Sequence, residues 1–184
     1  MMWNFPIAVE IGGEEYAIRN KCDYRIVLDT IIALCDEELD MQYRIQCALY
    51  IFYEDLTGCN DIETAIKEMF KIINYGEEEE NTAKPNLRLM DWQHDFKNLA
   101  PPISRTLGYD IRTPNKYTHW YSFLGGYMEI GECLFSNIVS IRNKRAKGKK
   151  LEKYEKEFYR ENRKMIDLPQ KLTAEEKEWL ESDW

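Results

Sequence analysis

Hydrophobic and polar positions divide the sequence into a short β-type segment followed by helical segments. Residues 7–19 place short alternating apolar runs on either side of Gly12-Gly13. Paired glycines tolerate the positive φ angles of a tight hairpin turn, so this pattern predicts a two-stranded β-hairpin. A lone hairpin is marginally stable, and we expect it to pack against another element.

Three amphipathic helices are predicted next, because apolar residues recur every three or four positions. They are predicted after Asp23, which can cap the first helix, from Asp40 to Leu56, and from Asn60 or Asp61 to Gly76. Short turns between the helices favour an antiparallel bundle. We therefore expect a mainly α protein, a helical bundle with a short N-terminal β-hairpin, and we interpret the apolar stripes as core.

Residues 77–90 break this periodicity with four consecutive glutamates followed by Pro85. Adjacent like charges repel and proline disfavours helix interiors, so the stretch is predicted to be an exposed linker. A metal site is disfavoured, because four consecutive carboxylates cannot converge on one helical face. The predicted organisation is a hairpin and three-helix unit at 1–76, an acidic linker at 77–90 and a helical unit at 91–184.

The second half of the sequence is helical but interrupted. A short helix from Asp91 is predicted to end or kink at Pro101-Pro102, with another turn or two closed by Gly108. A longer helix is predicted to begin near Asn115. Gly125-Gly126 lies within it, and this pair indicates either a close helix approach or a bend. One more helix is predicted after the glycines.

Charge is distributed unevenly along the chain. The formal net charge is −8, which argues against broad contact with nucleic acid or anionic lipid. Residues 1–141 sum to −11, residues 142–164 to +7 and residues 165–184 to −4. The basic segment, residues 142–164, either contacts nucleic acid or an acidic protein, or is a solvated helix paired with the acidic body; the second interpretation is favoured. Thr173 to Glu176 form a capping-box pattern that predicts a short helix bearing Trp179.

Motifs for catalysis or cofactor binding are not evident. Neither glycine pair is followed by the Lys-Ser/Thr of a phosphate-binding loop. His94 and His119 are the only imidazoles, and we interpret each as half-buried and hydrogen-bonded. A metal site at Asp91, His94 and Asp95 is a weaker alternative. We expect a protein that is not an enzyme and that binds no cofactor and no metal.

The cysteines and the hydropathy suggest a cellular compartment. The five cysteines show no C-x-x-C pair, and Cys35 and Cys47 occupy helical apolar positions where we expect core packing. No apolar window reaches the length that spans a bilayer, and the first residues lack a signal-peptide pattern. The sequence therefore predicts a soluble protein of the cytoplasm.

Several ordered blocks resemble one known family, the bacteriophage "gene product fifteen" family. The blocks are Phe5–Ile18, Asp23-Tyr24-Arg25, Leu107–Arg112, Thr118–Leu124 and Ile138–Arg142. The resemblance implies a small, mostly helical protein of long-tailed phages and prophages of Gram-positive bacteria. It also implies a gene located between those for the tail tube and the tape-measure protein, the position of tail assembly chaperones. The sequence departs from the family at Pro101-Pro102 and Gly125-Gly126.

The resemblance implies a non-catalytic role in tail assembly, in the cytoplasm of the bacterial host. The expected partner is the tape-measure protein or another tail assembly protein, and the opposed charges also allow self-association. A chaperone for a long apolar helical chain needs apolar grooves and a charged exterior. The candidate contact residues are Trp120, Tyr121, Phe123, Leu124, Tyr127, Lys147, Lys149 and Lys150. The alternatives are a nucleic-acid or regulatory binding module acting through residues 142–164, and a minor structural component of the tail.

Overall fold

The computed structural model describes residues 4–77 and 87–169, which form helices and one short hairpin. These residues group into two compact units: 4–77 with 99–131, and 87–98 with 132–169. Both units are discontinuous in sequence, whereas contiguous domains separated by residues 77–90 are the expectation from the sequence. The predicted mainly α fold with a short β-hairpin is confirmed.

The hairpin pairs β1 (Ala8–Ile11) with β2 (Glu14–Ala17) in antiparallel register, so that Val9 lies opposite Tyr16. The turn is made by Gly12 and Gly13, whose φ angles of 62° and 87° suit residues without a Cβ. The inward-facing side chains of β1 are buried. The alternation seen in the sequence therefore places one face of this small sheet in the core.

Three helices follow the hairpin: α1 (Tyr24–Leu34), α2 (Met41–Phe52) and α3 (Ile62–Ile73). Each is capped by an aspartate that accepts a backbone N–H of the first turn, namely Asp23, Asp40 and Asp61. α1 packs against α2, α2 against α3, and α3 against β1. α2 ends at Phe52 and not at the predicted Leu56, because Tyr53 is extended and forms a β-bridge with Ile18.

The fourth helix, α4 (Trp92–Leu107), runs through Pro101 and Pro102. Of the two predicted alternatives, an end or a kink at the prolines, the end is wrong. Each proline removes one backbone donor, and the burial of Leu99 and Ile103 on either side offsets that cost. The predicted stop is confirmed, since Gly108 has a φ of 77° and donates its N–H to Ser104 O at 2.9 Å.

The fifth helix, α5 (Trp120–Met128), begins after His119 and not near Asn115 as predicted. Asn115 has a left-handed φ of 60°, which stops a helix from starting there. The backbone N–H of Tyr24 then donates to Thr118 O at 2.9 Å, which holds this stretch outside the helix. A tertiary contact therefore sets the start of α5.

The Gly125-Gly126 pair marks a close approach of α5 to α4, one of the two predicted alternatives. A Cβ added at Gly126 would lie 3.1 Å from Leu107 Cγ and 3.2 Å from Ile103 Cγ2. A Cβ added at Gly125 would meet nothing within 4 Å. Only Gly126 is therefore required by packing.

This difference predicts opposite effects for two matched substitutions. Gly126→Ala should lower the free energy of unfolding by about 1–3 kcal/mol, because the added methyl overpacks the contact with α4. Gly125→Ala should raise it by about 0.5–1 kcal/mol, because alanine is the better helix former. Urea denaturation of both variants measures the effects, and equal changes of the same sign would contradict the close approach.

The second unit contains the first turns of α4 together with three helices: α6 (Leu134–Ala146), α7 (Lys153–Glu161) and α8 (Arg163–Ile166). Its buried centre is formed by Ile138, Ile141 and Ile166, with the ring of Phe158 packed against them. α6 and α7 both contact α8. The helix predicted after the glycines is α6.

Two predicted features lie largely or wholly outside the described residues: the acidic linker at 77–90 and the helix at Thr173 to Leu180. Within the described part of the chain, no helix is both long and apolar enough to cross a membrane.

Candidate partner-binding surfaces

The blocks at residues 23–25, 107–112 and 118–124 meet inside the first unit. Asp23 Oδ2 accepts from the backbone N–H of Thr118 at 3.1 Å, while its Oδ1 caps α1. The hydroxyl of Tyr24 donates to Ile111 O at 2.9 Å, and the Arg25 guanidinium donates to the same carbonyl at 3.0 Å. These blocks therefore form a structural joint between distant parts of the chain.

Three of the candidate contact residues on α5 lie in the core. Trp120, Phe123 and Leu124 are all buried. The indole Nε1–H of Trp120 donates to Ile73 O at 3.1 Å, and the ring of Phe123 stacks on Tyr24 with centroids 4.6 Å apart. The prediction that these three side chains offer a contact surface is corrected, because tertiary packing already covers them.

Tyr121 and Tyr127 are the two half-buried candidates on α5. Tyr121 belongs to an aromatic cluster that we define by Phe5, Tyr75, His119 and Tyr121. The Phe5 ring stacks on His119 at 4.6 Å, and the Tyr75 ring lies 4.6 Å from Tyr121. Phe5 is 49% exposed and Tyr75 is 43% exposed, so the cluster combines a packed base with solvent-facing rings.

His119 holds this cluster together through both ring nitrogens. Its Nδ1 lies 3.0 Å from the backbone N–H of Tyr121 and accepts it as the cap of α5. Its Nε2 lies 2.9 Å from Pro6 O and therefore carries the proton. Burial lowers the pKa of His119 below its ordinary value of 6.5, although the Pro6 carbonyl and Asp23 favour the charged form. The fold thus requires the neutral imidazole.

This requirement predicts that acid destabilises the first unit. Below pH about 6.5 His119 binds a proton in the unfolded chain, whereas in the folded chain its lowered pKa keeps it neutral. The free energy of unfolding therefore falls as the pH drops from about 6.5 toward the pKa of the folded state. The variant His119→Asn keeps a capping side chain and removes the titration. Its free energy of unfolding should fall less between pH 7 and pH 5.5 than that of the wild type. Parallel pH profiles for the two proteins would contradict the assignment.

The basic segment is partly paired within the second unit. Arg142 contacts Asp95, Lys144 Nζ lies 2.6 Å from Glu155 Oε1, and Arg145 pairs with Asp167. Only the Arg142 pair with Asp95 joins the segment to the acidic body, as the favoured interpretation expects. The partner of Lys144 lies within the basic segment itself, and the partner of Arg145 lies just after it.

The candidate residues Lys147, Lys149 and Lys150 differ from those paired bases. All three are exposed, and none forms an ion pair with another described residue. They follow α6, whose end is marked by Gly148 with a φ of 63°. Their role in binding stays a prediction.

The weaker metal interpretation at Asp91, His94 and Asp95 is not supported by the geometry. Asp95 is bound to Arg142, while His94 Nε2 lies 3.2 Å from Met165 O. Across residues 4–77 and 87–169, no group of three or more His, Cys, Asp or Glu side chains is arranged to hold a metal ion.

The cysteines follow the expectation only in part. Cys47 is half-buried, but Cys35 is exposed, so the prediction of core packing for Cys35 is wrong. The reason is that α1 ends at Leu34, so Cys35 follows the helix and lies past the turns that pack against the core. Cys22 is the buried thiol, and its burial raises its pKa to about 12.

A comparison with known protein families matches residues 2–168 to the family described as Bacteriophage Gp15 protein. The chain belongs to this family. The match spans described residues of both units, and it confirms the resemblance inferred from the sequence blocks. Neither a comparison with curated proteins nor one with solved structures gave a match.

Two members of the aromatic cluster of this Gp15 chain, Phe5 and Tyr75, are not found by reasoning from sequence. Neither lies on a periodic stripe, since Phe5 precedes β1 and Tyr75 follows α3 with a φ of 63°. The sequence does hold one signal for Phe5, which is an aromatic residue directly before Pro6 in the first block. The Pro6 carbonyl contacts His119 Nε2 and so joins this segment to α5. Tyr75 reaches the cluster through a left-handed backbone conformation, which the presence of a tyrosine does not predict.

Proposed function

We propose that this Gp15-family protein is a non-catalytic tail assembly chaperone. It binds the tape-measure protein, or a chaperone partner, in the cytoplasm of the bacterial host. The observation that carries the proposal is the family match over residues 2–168. The resemblance adds the expected gene position, between the tail tube and the tape-measure protein.

The side-chain chemistry of the described residues supports a binding role over a catalytic one. The buried ionisable groups hold the fold: Asp23 caps α1, His119 caps α5, and Asp95 pairs with Arg142. Large apolar side chains remain exposed at Phe5, Tyr75 and other positions. Exposed aromatic groups on a charged helical protein suit reversible contact with amphipathic helices.

Co-expression tests the proposal directly. The chain should raise the soluble fraction of the tape-measure protein from the same phage several-fold and co-purify with it. An unrelated helical protein of similar size and charge serves as the control. If the tape-measure protein stays insoluble and no complex is recovered, the proposal fails. Recovery of the chain at fixed stoichiometry from purified virions would favour a structural tail component instead.

Nucleic-acid binding through the basic segment is the second candidate function. The observation that favours it is the exposure of Lys147, Lys149 and Lys150 without an ion-pair partner among the described residues. Reversing the three charges to glutamate should abolish salt-dependent binding to DNA or RNA if this function is correct. Unchanged binding would remove the candidate.

A further inference from the structure

The helical hairpin of α1 and α2 carries its apolar stripe beyond the part that the fold buries. On α1 the stripe runs at helical spacing through Tyr24, Val27, Ile31 and Leu34. Tyr24 and Val27 are buried, whereas Ile31 and Leu34 are partly exposed. The same helical face that forms core at its start is therefore solvent-accessible at its end.

α2 repeats the pattern in the opposite direction. Its stripe runs through Met41, Ile45, Ala48 and Phe52 at the same helical spacing. Ala48 and Phe52 are fully buried, Ile45 is partly exposed, and Met41 is 64% exposed. Because α1 and α2 pack antiparallel, the two accessible ends lie side by side. We name this surface the hairpin tip and define it by Ile31, Leu34, Met41 and Ile45.

Negative charge borders the hairpin tip on the side of the connecting loop. Residues 36–40, between the two helices, contain four carboxylates. Arg44 is the only basic residue from position 29 to position 44, and its Nε–H is directed to Leu39 O at 2.7 Å. An apolar surface with an acidic border is complementary to an apolar stripe with basic borders.

We propose that the hairpin tip is the docking surface for an amphipathic helix whose apolar stripe is flanked by lysine or arginine. Two adjacent apolar helix ends offer a surface of side chains at helical spacing, and a bound helix presents side chains at the same spacing of three and four residues. The inference rests on the proposed function and deepens it, because it assigns the chemistry of the tail-protein segment that this surface binds.

The test uses two synthetic peptides and two matched variants of the full chain. The probe is an 18-residue fluorescent peptide with a leucine stripe and lysine borders; its counterpart has glutamate borders. Met41→Gln removes an apolar side chain from the hairpin tip, and Met128→Gln makes the same change at the end of α5, where Met128 is 62% exposed. Both methionines are largely exposed, so both variants should fold as the wild type does.

Fluorescence anisotropy should show binding of the lysine peptide that weakens as salt is added. Met41→Gln should reduce the affinity about tenfold, and Met128→Gln should leave it unchanged. Replacing Glu37 and Glu38 together with lysine should also weaken binding. Equal affinities for the two methionine variants, or equal binding of the glutamate peptide, would overturn the inference. So would self-association of the wild type that Met41→Gln abolishes, since the occupant would then be a second copy.

The same variants separate this inference from the proposed function. If the wild type fails to solubilise the tape-measure protein, the proposed function fails, and the peptide measurements still judge the surface. If the wild type succeeds and both methionine variants succeed equally, the function stands and the hairpin tip is the wrong surface. Loss of solubilisation in Met41→Gln alone supports both.

Discussion

Replacing Arg142 with methionine should lower the free energy of unfolding of the second unit by about 3–5 kcal/mol. The guanidinium lies buried in α6 and contacts Asp95 through two short bonds, 2.6 Å and 2.8 Å long. It also donates to Ile166 O at 2.6 Å and to Leu89 O at 3.0 Å. The substitution leaves the Asp95 carboxylate buried without its counter-charge, which is far more costly than losing an exposed ion pair.

Arg145→Met provides the matched control, because the Arg145 pair with Asp167 is well exposed. This substitution should lower the free energy of unfolding by less than about 1 kcal/mol. Hydrogen exchange at the amides of α6 and α8 reads the stability of the second unit separately from the first. Equal protection in the two variants would show that the buried pair stabilises the second unit no more than the exposed pair does.

The double variant Asp95→Leu with Arg142→Met sharpens this test. Replacing a buried ion pair with apolar residues is often neutral, because the cost of desolvating both charges disappears. Here the guanidinium also satisfies backbone carbonyls of Leu89, Met165 and Ile166. The Leu89 and Ile166 carbonyls lose this donor in the double variant, whereas Met165 O keeps His94 Nε2 at 3.2 Å. The double variant should therefore remain less stable than the wild type.

Trp120→Ala should lower the free energy of unfolding of the first unit by about 3–5 kcal/mol. The side chain is fully buried, stacks on Phe123 with centroids 5.5 Å apart and donates its indole N–H to Ile73 O. Its removal creates a cavity and leaves the partly buried Ile73 carbonyl without its donor. Urea denaturation followed by circular dichroism measures the loss.

Tyr121→Ala is the comparison for this second test. Tyr121 is half-buried next to Trp120. Its truncation should therefore lower the free energy of unfolding clearly less than Trp120→Ala does. A Trp120→Ala protein as stable as the wild type would contradict the core assignment and would return Trp120 to the candidate contact residues. The comparison thus decides whether the aromatic residues of α5 serve packing or binding.

Local signals explain which elements could be predicted from the sequence. The glycine pair specified the hairpin turn, and the periodic stripes that follow Asp23, Asp40 and Asp61 specified α1, α2 and α3. In each case the information lies within a few residues of the element that it determines. Gly108 ended α4 for the same reason.

Contacts between distant residues explain what could not be predicted. The start of α5 is fixed by the pairing of Thr118 with Asp23 and Tyr24, which no local pattern reveals. Continuation of α4 through the prolines depends on burial of their neighbours. The exposed end of the α1 stripe likewise reads as core in the sequence, because periodicity identifies a face but not how far the covering elements extend.

Residues 99–131 complete the unit that the first 77 residues begin, and this has a consequence for cutting the chain. A fragment that ends at residue 77 loses Trp120, and with it the donors to Ile73 O and Cys22 O. Cleavage between residues 77 and 87 would instead divide the first unit between two pieces, whereas the described residues of the second unit would all stay in the second piece. Mixing separately purified pieces should therefore restore the native circular dichroism spectrum, as in fragment complementation, while neither piece alone attains it.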